Sequence, residues 1–151
     1  MSVTILELKD VAIFQKESLI LTDVSLEIKQ GEFVYLIGKT GSGKSSFMKT
    51  LYGDLPLNQG EGNIVDFDLK TLREKDIPYL RRKLGIVFQD FKLLPDRTIK
   101  KNLQLVIKAT GWKDKTKKDK QKEDVLEKVG IKTKGFKFTH DLSGVEQQRI
   151  A

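Results

Sequence analysis

Eight consecutive residues, Gly38-Lys39-Thr40-Gly41-Ser42-Gly43-Lys44-Ser45, fit the pattern G-x-x-x-x-G-K-[ST] and restrict the folds open to this chain more than anything else in it. A loop of this kind works in one setting, between a strand that enters it and a helix that leaves it. Its glycines let the backbone curl until several amide N–H groups face one anion. The helix adds its positive end. In that setting Lys44 offers a compact positive charge to phosphate oxygens, and Ser45 offers a hydroxyl to a magnesium ion. The flanks agree. Phe33-Val34-Tyr35-Leu36-Ile37 is apolar and rich in β-formers, and reads as a buried central strand. Ser46 to Tyr52 reads as a helix ended by Gly53.

The rest of the chain changes period once. Val3 to Leu8 and Val11 to Phe14 read as β-structure. Val24, Leu26 and Ile28 alternate with Ser25, Glu27 and Lys29 as in a half-buried strand, and Lys29-Gln30-Gly31 turns the chain toward the loop. Asp54 to Gly62, with Pro56, Gly60 and Gly62, reads as a polar loop, followed by a short strand at Asn63 to Val65. Leu84 to Phe88 is a further apolar run. From Thr98, a candidate N-cap, Ile99, Leu103, Val106 and Ile107 take helical spacing. Gly111 interrupts, and a second helix is predicted from Lys115 to Val129, ended by Gly130. Ser143 and Glu146 stand at the spacing of a capping box.

Charge narrows the function classes less than the motif does. The net charge is +7, and six lysines fall between Lys113 and Lys122. Interleaved with Asp114 and Asp119, without an aromatic pattern, this run reads as a solvated helix face, and no nucleic-acid partner is expected. There is no cysteine, so disulfides and Cys-based metal sites are excluded. No apolar run approaches a membrane span, and the N-terminus has no signal-peptide pattern.

Several further stretches occur in one order with the loop. Leu142-Ser143-Gly144-Val145-Glu146-Gln147 is similar to the L-S-G-G-x-Q signature of ATP-binding cassette (ABC) ATPases. Gln89 stands where that family has its Q-loop glutamine, Phe14 where it has an aromatic, and Gly31-Glu32 precede the loop strand as they do there. The chain therefore resembles an ABC ATPase over nearly its whole length. The segments Ile77-Pro78-Tyr79-Leu80-Arg81-Arg82, Val87-Phe88-Gln89-Asp90 and Asp96-Arg97-Thr98 resemble the bacterial cell-division branch, the FtsE type, more than the lipoprotein-release and macrolide-export branches.

The resemblance implies an α/β P-loop NTPase fold with an N-terminal antiparallel β-subdomain and a helical subdomain over about 90–141, all within one partial ATP-binding domain, 1–151. It implies ATP and Mg²⁺ as ligands. Phe14 stacks on the base, and residues 38–46, including Ser46, hold the phosphates. Ser45 and Gln89 reach the metal, and Lys44 and Gln89 serve catalysis. Ser143 and Gly144 cap the nucleotide of a second subunit in a homodimer. It implies an integral membrane permease-like partner, FtsX in the cell-division branch, docking near Phe91 to Arg97. It also implies a cytoplasmic protein held peripherally at the inner face of the membrane. Val145 stands where the signature has its second glycine, and crowds that approach. The family's Walker B carboxylates, D-loop and switch histidine follow the signature and have no counterpart up to Ala151. These 151 residues alone are expected to bind nucleotide without turning it over, or to act as a nucleotide-gated adaptor. His140 precedes the signature and reads as a loop residue.

Overall fold

The computed structural model describes residues 3–151, and the chain divides into two compact units, one ending at Gly85 and one running from Ile86 to Ala151. In the first unit, β1 (Thr4–Gln15) and β2 (Ser18–Lys29) form an antiparallel hairpin. β3 (Gln59–Ile64) and β4 (Phe67–Asp68) complete a four-stranded sheet in the order β2-β1-β3-β4. β1 is central and carries most of the core: Leu6, Leu8, Val11 and Ile13 are all buried. The helix after the loop, α1 (Lys44–Leu51), joins that core through Phe47, so the phosphate-type loop is tied to β1 by one buried ring. Burying a Phe side chain contributes roughly 1.5–3 kcal/mol. A short helix, α2 (Ile77–Arg82), adds the fully buried Leu80.

β3 begins at Gln59, inside the stretch predicted as loop, and ends at Ile64, one residue short of the predicted end. Its glycines conceal it in the sequence, but the structure explains one of them. Gly60 has φ +86, and a Cβ there would lie 2.6 Å from both Asp10 O and Val11 Cα. Close approach of β3 to an irregular part of β1, where the register shifts between Lys9 and Ala12, demands a residue without a side chain.

The expected central strand is corrected. Phe33 to Ile37 forms no strand and pairs with none of the four; Phe33 is 80% and Ile37 88% exposed. A strand exists only where a ladder partner takes up its N–H and C=O groups. Among the described residues every sheet pairing is antiparallel and none reaches this segment. Leu84 to Phe88 is likewise irregular rather than extended in a sheet. Its first residue, Leu84, packs against the first unit's core.

The second unit is helical: α3 (Ile99–Ala109), α4 (Lys115–Lys128) and α5 (Gly144–Ile150), with short 3₁₀ turns at Lys132–Lys134 and Thr139–Asp141. Ile99, Leu126, Ile131, Leu142 and Ile150 form its core. Caps set the helix starts. The Thr98 hydroxyl accepts from Lys101 N at 3.4 Å, and the Asp114 carboxylate from Lys117 N at 2.9 Å. Between Phe88 and Thr98 the chain turns through two successive left-handed residues, Phe91 and Lys92, and is pinned by the buried side chain of Asn102. Leu93, within the stretch expected to dock a partner, packs against the second core. Leu94 is 39% exposed.

Candidate nucleotide site

Gly43 is the hinge of the loop. It is the N-cap of α1, in the left-handed region at φ +89, and a Cβ on it would meet Ile20 Cγ2 at 2.8 Å and Leu21 Cγ at 3.0 Å. Only glycine lets the loop lie this close to β2. Having no side chain, Gly43 also leaves the first amides of α1 without a cap, so the N–H groups of Lys44, Ser45 and Ser46 have no intrahelical acceptor. Ser42 N donates to Lys39 O at 3.2 Å, closing a turn. The Lys44 ammonium folds back over that turn and donates to Gly38 O at 2.6 Å, Lys39 O at 2.7 Å and Ser42 Oγ at 3.3 Å. A cation thus stands beside the uncapped first turn of α1, whose amides carry the positive end of the helix, and the two together suit an anion.

Ser45 is exposed, and its hydroxyl is free to face solvent. Ser46 is buried, and its carbonyl accepts from Thr50 Oγ1 at 3.0 Å. What it can offer a ligand is therefore its amide, not its hydroxyl. Phe14 lies in the same unit, half-buried on β1 opposite Leu19 of β2, one residue from the Ile20 that faces Gly43. Residues 38–46 and the β1–β2 hairpin are thus brought together. Gln89, Ser143 and Gly144 belong to the second unit. Gln89 is exposed in a turn closed by Phe91 N donating to Phe88 O at 3.1 Å, next to an Asp90–Lys92 ion pair of 2.6 Å. Among the described residues no group of His, Asp or Glu is arranged to hold a metal ion.

The signature segment opens α5 with a reciprocal cap. Ser143 Oγ accepts from Glu146 N at 3.3 Å, and Glu146 Oε2 accepts from Ser143 N at 3.0 Å. One residue of this network carries no signal in the sequence. Lys134, one lysine among many, pairs with Glu146 Oε1. Gln147 Nε2 donates to Thr139 O at 2.9 Å and Leu142 O at 3.1 Å, fastening the helix to the turn before it. The Lys134 ammonium, then the Ser143 amide and hydroxyl, hold the Glu146 carboxyl down to about 2.

Because the folded carboxyl titrates below the usual 4.5, its contribution to stability is complete above that value and fades as pH falls toward about 2. A carbon-detected NMR titration should place the Glu146 midpoint there, and Lys134→Ala should move it up toward 4.5. A wild-type midpoint near 4.5 contradicts the network.

Residues 21–151 match the ABC transporter family model. The chain belongs to the ABC transporter family. Its fold is the α/β P-loop cassette of that family: it aligns with the dimeric ABC transporter cassette MJ0796 at a TM-score of 0.84 and 30% identity, over 97% of this chain and 66% of that one. Among family relatives, the cell division ATP-binding protein FtsE of Streptococcus pneumoniae is 39% identical, over 98% of this chain and 64% of the relative. FtsE of Bacillus subtilis is 43% identical over 87% and 57%. The glutamate/aspartate import ATP-binding protein GltL of Escherichia coli is 40% identical over 95% and 59%. The chain thus spans less than two-thirds of the curated relatives it matches. No helix among the described residues is long and apolar enough to cross a membrane.

Proposed function

We propose that this chain is the nucleotide-binding part of an ABC ATPase that binds MgATP in the loop 38–46 and couples the nucleotide's state to a membrane partner. The observation that carries this reading is the Lys44 ammonium held over the 38–42 turn at 2.6–3.3 Å, at the mouth of an uncapped helix. With nucleotide bound, Lys44 would exchange its carbonyl acceptors for phosphate oxygens, and the free amides of α1 would take the remaining oxygens. Ser45 would hold the Mg²⁺ that neutralises them. Phe14 is the aromatic surface for the base. Gln89 would position water near the metal, and Ser143 and Gly144 would close on the nucleotide of a second copy.

Within the family we favour the FtsE type, with a permease-like FtsX-type membrane subunit and a place on the cytoplasmic face of the membrane. Sequence identity does not separate that branch from importer subunits, since FtsE and GltL relatives match equally well. The support is the run Phe88-Gln89-Asp90 followed by Asp96-Arg97-Thr98. The lipoprotein-release and macrolide-export branches share less of it.

The loop reading is tested by Lys44→Ala. Calorimetric MgATP affinity should fall by about 1.5–3 kcal/mol, the scale of hydrogen bonds to a charged group, with the melting transition retained. Undiminished affinity would remove the loop from the site.

A further inference from the structure

The charge of this chain is confined to one unit. Up to Gly85, twelve lysines and arginines meet twelve acidic residues; from Ile86 onward, sixteen meet nine, so the whole net charge of +7 lies on the helical unit. It is densest at one place, the tip of the α3–α4 hairpin. Lys100 Nζ bonds Glu123 Oε1 at 2.5 Å and fastens the start of α3 to the middle of α4, so the end of α3 and the start of α4 come together at the opposite end of the pair. From Gln104 to Lys118 there are five lysines and a single acid, Asp114, whose carboxylate is occupied as the α4 cap. Among the described residues, Lys108, Lys113, Lys115, Lys117 and Lys118 form no salt bridge. Three of them stand in the first turn of α4, where the helix field disfavours cations. Only Asp114, at the cap, and Asp119, one turn on and near Lys115, offset this arrangement in part.

Apolar side chains project among these charges. Val106 is 61%, Trp112 41% and Leu105 37% exposed. The turn bearing Trp112 is closed by hydrogen bonds: Thr110 N and Oγ1 donate to Val106 O, Gly111 N to Lys108 O, and Trp112 N to Ile107 O. A part-exposed tryptophan on a hydrogen-bonded turn, with two aliphatic neighbours and a collar of lysines, combines the two forces that hold a surface in a lipid interface, apolar insertion and attraction to anionic headgroups.

We propose that the α3–α4 tip docks on an anionic membrane surface, with Trp112, Leu105 and Val106 at the headgroup boundary and the five lysines over the anionic lipids. Lysine is the cation suited to this. The tip has no arginine, and point charges serve a diffuse, fluid anionic layer, whereas fixed bidentate recognition of bases or phosphopeptides selects arginine. A nucleic acid would also leave Leu105 and Val106 without an apolar environment. The contact does not depend on nucleotide, so it stands or falls apart from the loop reading.

Trp112 is the sole tryptophan, so its emission reports the tip directly. The chain is mixed with vesicles of equal parts phosphatidylcholine and phosphatidylglycerol, and separately with pure phosphatidylcholine vesicles. The expected result is a blue shift and co-sedimentation with the mixed vesicles only, reversed by high salt. Lys113→Glu with Lys117→Glu should lower partitioning at least about tenfold, as each surface lysine carries much of the attraction, and Trp112→Ala should weaken it while far-UV dichroism stays unchanged. Absence of a blue shift, equal binding to neutral vesicles, indifference to the charge reversals, or tighter binding to a duplex oligonucleotide than to the mixed vesicles overturns the proposal.

Discussion

Gly60→Ala should destabilise the first unit by about 2–5 kcal/mol. A left-handed backbone at a non-glycine residue costs roughly 1–2 kcal/mol, and an atom forced into a packed site costs roughly a further 1–3 kcal/mol. Both apply here. The φ of +86 must be kept if β3 is to hold its register, and the new methyl would meet Asp10 O, Val11 Cα and Lys9 O at 2.6–2.7 Å. All three are backbone atoms of the central strand, which cannot rotate away as a side-chain tip can. Strand β1 also carries the core against which Phe47 anchors α1, so the loop 38–43 should lose its footing as β1 shifts. Amide exchange resolved along the chain reads this directly: protection in β1, β3 and α1 should fall, while α3 and α4 keep theirs. Native protection in β1 and β3 of the variant would show that the sheet absorbs the methyl, and the packing argument would fail.

That glycine shows where the sequence could be read and where it could not. Lys44 and its loop were legible because the chemistry needs particular residue types at fixed spacing. The helices of the second unit were legible from period and caps, Thr98 and Ser143 above all. β3 was not, because Gly60 and Gly62 carry the signature of a turn, whereas here they serve close packing between strands. Phe33 to Ile37 misled in the opposite way. Its composition is that of a buried strand, but burial and pairing are supplied by neighbours, and among the described residues none pairs with it. Lys134 and Asn102 were invisible for a third reason. Their roles rest on contacts with residues distant in the chain or on loop carbonyls, and nothing in a lysine's or an asparagine's local sequence announces them. The charge run was seen but weighed as a uniform solvated face. Only the hairpin geometry, fixed by Lys100 and Glu123, shows that lysines and exposed apolar side chains share one tip.

Asn102 gives the second large effect, and one whose pH dependence identifies its cause. This side chain is 7% exposed. Its Oδ1 accepts from Leu94 N at 2.8 Å, and its Nδ2 donates toward Leu94 O, Arg97 O and Thr98 O at 3.1–3.3 Å, so one amide fixes both ends of the segment that leads into α3. Asn102→Ala should cost the second unit about 2–3 kcal/mol, since the segment's amide and carbonyls are stripped of their partner and only partly reached by water. Asn102→Asp is nearly isosteric and keeps the acceptor for Leu94 N, yet at neutral pH it should cost more, at least about 3 kcal/mol, because a buried carboxylate then faces three carbonyl oxygens. Those carbonyls and the burial disfavour the charged form, so the new carboxyl's pKa rises in the folded state above its unfolded value. The penalty is therefore full above the folded pKa and is relieved as pH falls through it, where a protonated carboxyl regains an O–H donor for one carbonyl. The Ala variant should show no such recovery. Denaturant unfolding of the wild type, Asn102→Ala and Asn102→Asp across this range separates a lost hydrogen-bond staple from a packing defect. If Asn102→Asp is no worse than Asn102→Ala at neutral pH, or gains nothing on acidification, the side chain is filling space rather than holding the segment. If the staple is real, loosening it should also disturb Leu94 to Arg97 first, the stretch proposed to meet the membrane subunit, while leaving MgATP affinity at the loop of the first unit within about 0.5 kcal/mol, as for sites with no shared partners.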